Sequence, residues 1–129
     1  AFAEASAREC ELIAVHTWMD MQIQASLAGL SAAQQQWKIV EEEQNMLLGH
    51  RLAGYAERYP DVQVTRVVTR DRPVRALVDA AKGAQLLVVG SHGRGGFKGM
   101  LLGSTSRALL QSAPCPMMVV RPDSDAKAR

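Results

Sequence analysis

The chain has 129 residues, of which 47% are hydrophobic, 22% charged and 5% aromatic. This composition is typical of one compact globular domain and excludes collagen-like, coiled-coil and disordered classes. The net charge of +2 gives no basis for nucleic acid or an anionic membrane as a partner, and no apolar run approaches the roughly 20 residues of a membrane span. Cys10 and Cys115, the only cysteines, predict free thiols and a cytoplasmic location.

The first half of the chain contains two predicted helices and one predicted strand. Residues 1–8 are rich in Ala, include Glu4 and have no preceding cap residue, which predicts the end of a helix already under way. The apolar run 11–17 predicts a buried strand, and 18–31 a long connection of unassigned conformation. Strong helix formers then predict a helix over 31–59 that ends before Pro60.

The second half alternates strands and helices. The predicted elements are a strand over 62–69, a helix from Pro73 to the stop at Gly83, a strand over 85–89, a helix over 104–112 with Ser104 or Thr105 as its N-cap, and a last strand over 117–120. Strands that alternate with helices and are apolar on both faces predict an α/β fold with a doubly wound parallel sheet.

The segment from Gly90 to Ser104 carries the chemistry of the chain. It connects a predicted strand to a predicted helix, contains six glycines, and is about twice as long as the usual two to six residues of such a loop. A glycine-rich loop that leads into a helix start offers free N–H groups and partial positive charge, which suit phosphate oxygens. A flexible surface loop is the alternative, and the position in the fold favours phosphate.

The glycine spacing separates the known phosphate-binding patterns. Neither the Walker A pattern nor Gly-x-Gly-x-x-Gly fits any register of this loop. The pattern Gly-x2-Gly-x9-Gly-Ser is met by Gly90, Gly93, Gly103 and Ser104. It resembles the ATP-binding motif of the universal stress protein family. The specific part of the resemblance covers about 37 residues from the third predicted strand onward, and the elements before it are compatible with the family in order and length.

The resemblance implies an ATP site whose residues can be named in this sequence. The glycines would let main chain approach ribose and phosphates, the Ser104 hydroxyl and Thr105 main chain would meet the phosphates, and the end of the first predicted strand would place backbone against adenine. The implied binding residues are Val15, His16, Gly90, His92, Gly93, Arg94, Gly103, Ser104 and Thr105.

One departure from the family pattern concerns its first strand, which ends in an Asp-Gly-Ser-like turn whose Asp reaches the nucleotide. Nothing before Glu11 resembles that strand. In the family order it lies in the middle of the sheet, between the strands that match 11–17 and 85–89. We therefore expect residues 1–129 to form one such domain that lacks its central strand, either alone or as half of a tandem protein. Another segment would then fill the gap, or the neighbouring strands would close up and ATP affinity would be weak.

The expected function is an ATP-binding stress-response or regulatory module, with or without Mg²⁺. Because the loop from Gly90 to Thr105 has no Asp or Glu, little or no hydrolysis is expected, and whether the protein is an enzyme stays open. The alternatives are a nucleotide-dependent transferase or synthetase on a related sheet, and an interaction domain that binds no nucleotide. The three histidines have no partner at ligand spacing, so no metal site is predicted. Residues 117–120, a wholly apolar edge strand, predict a homodimer or tandem-domain contact.

Overall fold

A computed structural model of the chain describes residues 1–18, 30–91 and 102–121. In chain order the elements of these residues are α1 (Phe2–Ala7), β1 (Leu12–Thr17), α2 (Leu30–Arg58), β2 (Val64–Thr69), α3 (Pro73–Ala81), β3 (Leu87–Gly90), α4 (Ser104–Ser112) and β4 (Met117–Val120). Each has the type that the sequence predicts, and the α/β class with parallel strands is confirmed. The connection after Trp18 and the tail from Pro122 lie outside the described residues. None of the described helices combines the length and apolar character that a bilayer span requires.

The first of two compact units, Ala1–Arg72, contains a parallel strand pair. The register of β1 and β2 runs from Leu12 opposite Val64 to Thr17 opposite Thr69. β-Branched residues dominate β2, as suits a pleated, half-buried surface. Helix α2 packs against β2.

The core of this unit forms where α1 meets the end of α2. Phe2 is 7% exposed and packs with the buried Ala5 and Val62. Its ring stacks on the rings of Tyr55 and Tyr59, with centroids 5.7 and 6.0 Å apart. Burial of one aromatic ring against two others stabilises the docking of this short helix, which would be marginal by itself.

The second unit, Pro73–Arg129, holds the other strand pair and the helices α3 and α4, which contact each other. Strands β3 and β4 are parallel, from Leu87 opposite Met117 to Gly90 opposite Val120. Helix α3 ends as predicted, because Gly83 adopts a φ of 80°, a left-handed conformation that glycine accepts without steric cost.

The predicted N-cap of α4 is wrong. Ser104 and Thr105 both lie inside the helix, and Gly103 is the N-cap, with an extended backbone (φ −75°, ψ 171°) and no side-chain cap. An N-cap needs this non-helical geometry, and the chain turns into the helix one residue earlier than the hydroxyl side chains suggested.

Each of the two ladders in the described residues holds two strands. One edge of β1 and one edge of β3 therefore have no strand partner within residues 1–18, 30–91 and 102–121. Such edges present rows of N–H and C=O groups that ordinarily find partners in a folded sheet.

Candidate functional site

The predicted phosphate loop is anchored where β3 ends and α4 begins. Ser91, directly after β3, donates its N–H to the carbonyl of Val120 at 2.9 Å and so extends the ladder by one residue. The Ser91 carbonyl accepts the N–H of Gly103 at 2.6 Å. A backbone hydrogen bond thus joins the two ends of the loop. Residues 92–101 between them, which include the predicted site residues His92, Gly93 and Arg94, lie outside the described residues.

A buried hydroxyl reinforces this junction. The Ser106 Oγ lies 3.2 Å from the Ser91 carbonyl and 3.2 Å from the Gly103 carbonyl, so its proton can be donated to either oxygen. Ser91 is fully buried and Ser106 is 3% exposed. Hydrogen bonds away from water are held firmly, because breaking them leaves a buried acceptor without a partner. We call Ser91, Gly103 and Ser106 the loop neck.

Ser106 was not among the residues that the motif predicted. The sequence does contain a signal for a buried Ser106, because Ser106 lies three residues before Leu109 and therefore on the same helix face. Leu109 is fully buried, so a serine on that face is enclosed and must find a hydrogen-bond acceptor. The identity of the acceptor, the Ser91 carbonyl, depends on tertiary structure.

The start of α4 presents its backbone N–H groups without a side-chain cap. The N–H of Arg107 donates to the Gly103 carbonyl at 3.0 Å, so the N–H groups of Ser104, Thr105 and Ser106 precede the first intrahelical bond. The helix dipole places partial positive charge there. Ser104 is exposed and Thr105 half-buried, so the predicted phosphate contacts belong to an accessible helix start.

Gly90 lies at the carboxyl end of β3 and is exposed. The N–H groups of Leu87 and Ser91 both point toward β4, to the carbonyls of Pro116 and Val120. Since backbone groups alternate along a strand, the N–H and C=O of Gly90 face away from β4. Ligands of parallel sheets bind beyond such strand ends, so Gly90 is well placed for a main-chain contact.

The remaining predicted residues, Val15 and His16, end β1 in the first unit, and both are half-buried. The His16 Nε2 lies 2.6 Å from the Gln44 Oε1 of α2, so its side chain already has a partner. The N–H groups of Leu12 and Trp18 point to β2, which by alternation directs the amide of His16 to β2 and that of Val15 to the free edge. The His16 amide is therefore engaged in the β1–β2 ladder, whereas the Val15 amide faces the edge of β1 that has no strand partner among the described residues.

Among the described residues, no group of three or more His, Cys, Asp or Glu side chains could hold a metal ion. The two cysteines are both free thiols. At the start of α4 and at the loop neck the structure presents backbone N–H groups and hydroxyls, which are groups that can donate hydrogen bonds to an anionic ligand.

Comparison with known sequences relates this chain to the universal stress protein family, whose pattern matches residues 1–121. The chain is 54% identical over 121 residues to the universal stress protein Rv2005c of Mycobacterium tuberculosis. The aligned region covers 94% of this chain and 39% of that protein. It is 52% identical over 122 residues to a universal stress protein of Mycolicibacterium smegmatis, covering 95% of this chain and 40% of that one. The chain therefore spans about two fifths of the length of these relatives.

Solved structures show the same fold at lower sequence identity. The universal stress protein UspA from Lactobacillus plantarum superposes with a TM-score of 0.72 at 18% identity, over 93% of this chain and 83% of that one. The protein MJ0577 superposes with a TM-score of 0.71 at 18% identity, over 95% and 86% of the two chains. A universal stress protein in complex with cAMP gives a TM-score of 0.55 at 23% identity, over 92% and 79%.

Proposed function

Because this chain belongs to the universal stress protein family, we propose that it binds ATP through the loop from Gly90 to Thr105 and serves as a stress-response or regulatory module. The observation that carries the proposal is the uncapped start of α4, which the loop neck holds at the carboxyl end of β3 within a Gly-x2-Gly-x9-Gly-Ser sequence. Uncapped N–H groups at a helix start satisfy phosphate oxygens and gain from the helix dipole.

The proposal includes slow hydrolysis or none, with or without Mg²⁺ on the phosphates. Hydrolysis needs a positioned water, a base and usually a carboxylate-held metal ion. The segment from Gly90 to Thr105 contains no Asp or Glu. The free thiols of Cys10 and Cys115 suit a reducing compartment, and we place the module in the cytoplasm on that basis.

Native mass spectrometry of freshly purified protein tests this function directly. We expect added mass equal to ATP, and calorimetry to give tighter binding for ATP than for adenosine, which lacks phosphates. A related structure is a cAMP complex, so cAMP belongs in the same series. Equal affinity for adenosine and ATP would contradict a phosphate-binding role for the loop.

Substitution of Ser106 by Ala tests the loop neck. The change removes the hydroxyl that reaches the Ser91 and Gly103 carbonyls, so we expect the loop ends to separate more easily. The affinity for ATP should fall about fivefold, the equivalent of one hydrogen bond of about 1 kcal/mol. Calorimetry at a temperature where the variant is fully folded measures the effect.

Ser112→Ala is the matched control for this variant. The Ser112 Oγ also donates to a carbonyl of α4, that of Ala108 at 2.9 Å, but it is exposed at the opposite end of the helix. We expect ATP affinity to be unchanged in this control. Equal losses in both variants would assign the effect to helix stability and contradict the role of the neck.

We also propose that a further parallel strand pairs with the free edge of β1 and brings an Asp to its carboxyl end. By alternation along β1, the amides of Ile13, Val15 and Thr17 face that edge, whereas those of Ala14 and His16 face β2. Addition of a synthetic strand peptide that ends in Asp-Gly-Ser should slow hydrogen exchange of the Ile13, Val15 and Thr17 amides. Exchange of the Ala14 and His16 amides should not change. Unchanged exchange rates at all five amides would contradict the proposal.

The outer edge of β4 is the proposed contact between two copies or two domains. Residues 117–120 are wholly apolar and Val120 is 47% exposed. Val119→Pro should shift the protein toward monomer in sedimentation, because the Val119 N–H faces away from β3 and proline removes it without breaking the β3 ladder. A parent protein that stays monomeric at high concentration would contradict this contact.

A further inference from the structure

An aromatic residue follows directly after the end of β1, and a charged residue follows directly after the end of β2. Trp18 comes after Thr17, the last residue of β1, and Arg70 comes after Thr69, the last residue of β2. The backbone N–H of Trp18 donates to the Thr69 carbonyl at 3.2 Å, so the two chain segments remain adjacent beyond the ladder. This is the carboxyl edge of a parallel strand pair, where α/β sheets bind their ligands.

A tryptophan of α2 connects these two residues. The ring centroids of Trp18 and Trp37 lie 5.6 Å apart with planes inclined by 37°. The guanidinium carbon of Arg70 lies 3.7 Å from the Trp37 ring centroid, which is within cation–π distance. Trp18 is 7% exposed and anchors the cluster, whereas Arg70 is exposed at its surface.

The stacking fixes the position of the Arg70 guanidinium and leaves its hydrogen-bonding edge available. A cation–π contact uses the flat face of the group, whereas its N–H bonds point outward in the plane. An arginine that is already held in place loses less side-chain entropy when it binds an anion. The Oδ1 of the neighbouring Asp71 accepts the Arg72 N–H at 2.7 Å.

A buried donor in the same cluster also needs an acceptor. The Trp18 Nε1 is enclosed and has no hydrogen-bond partner among the described residues. A buried N–H group without an acceptor is unfavourable, and such groups in native proteins commonly mark a place for water, an ion or a ligand. The Trp18 Nε1–H and the outer edge of the Arg70 guanidinium are both donors, so oxygen acceptors are the groups that satisfy them.

We propose that Arg70, held by Trp37 and Trp18, forms an oxyanion site that binds a phosphate group. Phosphate carries more negative charge than a carboxylate at neutral pH, and two of its oxygens match the paired N–H groups of a guanidinium. The site lies entirely within the first unit and uses none of the residues of the ATP motif. It therefore adds a second anion-binding position to the chain, beyond the proposed function.

The two tryptophans of the site are the only ones in the chain, which makes the test specific. Inorganic phosphate is titrated into ¹⁵N-labelled full chain at constant ionic strength, and the two indole N–H signals are followed by NMR. We expect a saturable shift of both signals in the parent. Arg70→Ala should weaken phosphate binding at least fivefold, and Arg70→Lys should weaken it as well, because an ammonium group cannot stack flat or donate a planar pair.

Arg72→Ala is the matched control, since it removes the same charge from an exposed position two residues away. Its phosphate affinity should equal that of the parent. Equal weakening in the Arg70 and Arg72 variants, or an absence of saturation in the parent, would overturn the proposal. Equal binding of acetate would overturn the assignment to phosphate. Failure of ATP binding at the α4 start would leave these results unaffected, so the two proposals are tested separately.

Discussion

Gly103→Val is expected to lower the affinity of the protein for ATP more than tenfold, a loss of at least about 1.4 kcal/mol. Gly103 is buried, and its nitrogen lies 2.6 Å from the Ser91 carbonyl oxygen. The valine side chain would therefore have to fit within the loop neck itself. Its φ of −75° is open to any residue, so local backbone strain is not the cause of the loss. Crowding at the neck would move the α4 start away from the phosphates.

Calorimetry with ATP measures this effect, and circular dichroism establishes that the variant is folded. Lys98→Ala provides the comparison, since loss of one positive charge should cost less, about 1 kcal/mol. A Gly103→Val variant that binds ATP as tightly as the parent would show that the motif is wrongly assigned.

The largest effect on stability is expected for Leu109→Ala, which should lower the free energy of unfolding by about 2–5 kcal/mol. Leu109 is fully buried in α4, so truncation leaves a cavity in addition to the lost transfer free energy. The same helix carries Ser106 of the loop neck. ATP binding should therefore weaken only in proportion to the fraction of the variant that is unfolded. Urea unfolding, followed by circular dichroism, measures the change.

Leu110→Ala is the internal control for this prediction. Leu110 is the next residue of the same helix and is 57% exposed. Its truncation should change the free energy of unfolding by no more than about 0.5 kcal/mol. Similar losses in the two variants would mean that Leu109 is not the core residue that its burial indicates.

The local sequence predicts the types of these elements well, and their ends less well. Helix α4 and strand β4 have the predicted bounds, since turn residues limit them on both sides. Strand β2 was predicted from Val62 and begins at Val64. The reason is tertiary: Val62 is buried beside Phe2 and donates its N–H to Tyr59 at 3.1 Å, a turn bond that excludes it from the ladder.

The sequence by itself determined the α/β class, the order of elements and the glycine motif, because periodicity, turn residues and motif spacing are local properties. Tertiary structure alone decided that Gly103 caps α4 and that Ser106 joins the loop neck. It also decided that Arg70 stacks on Trp37. The Ser106 contact joins residues 15 positions apart, and the stacking joins a helix to a strand end. Contacts of this kind exist only after distant segments pack together, so no local pattern encodes them.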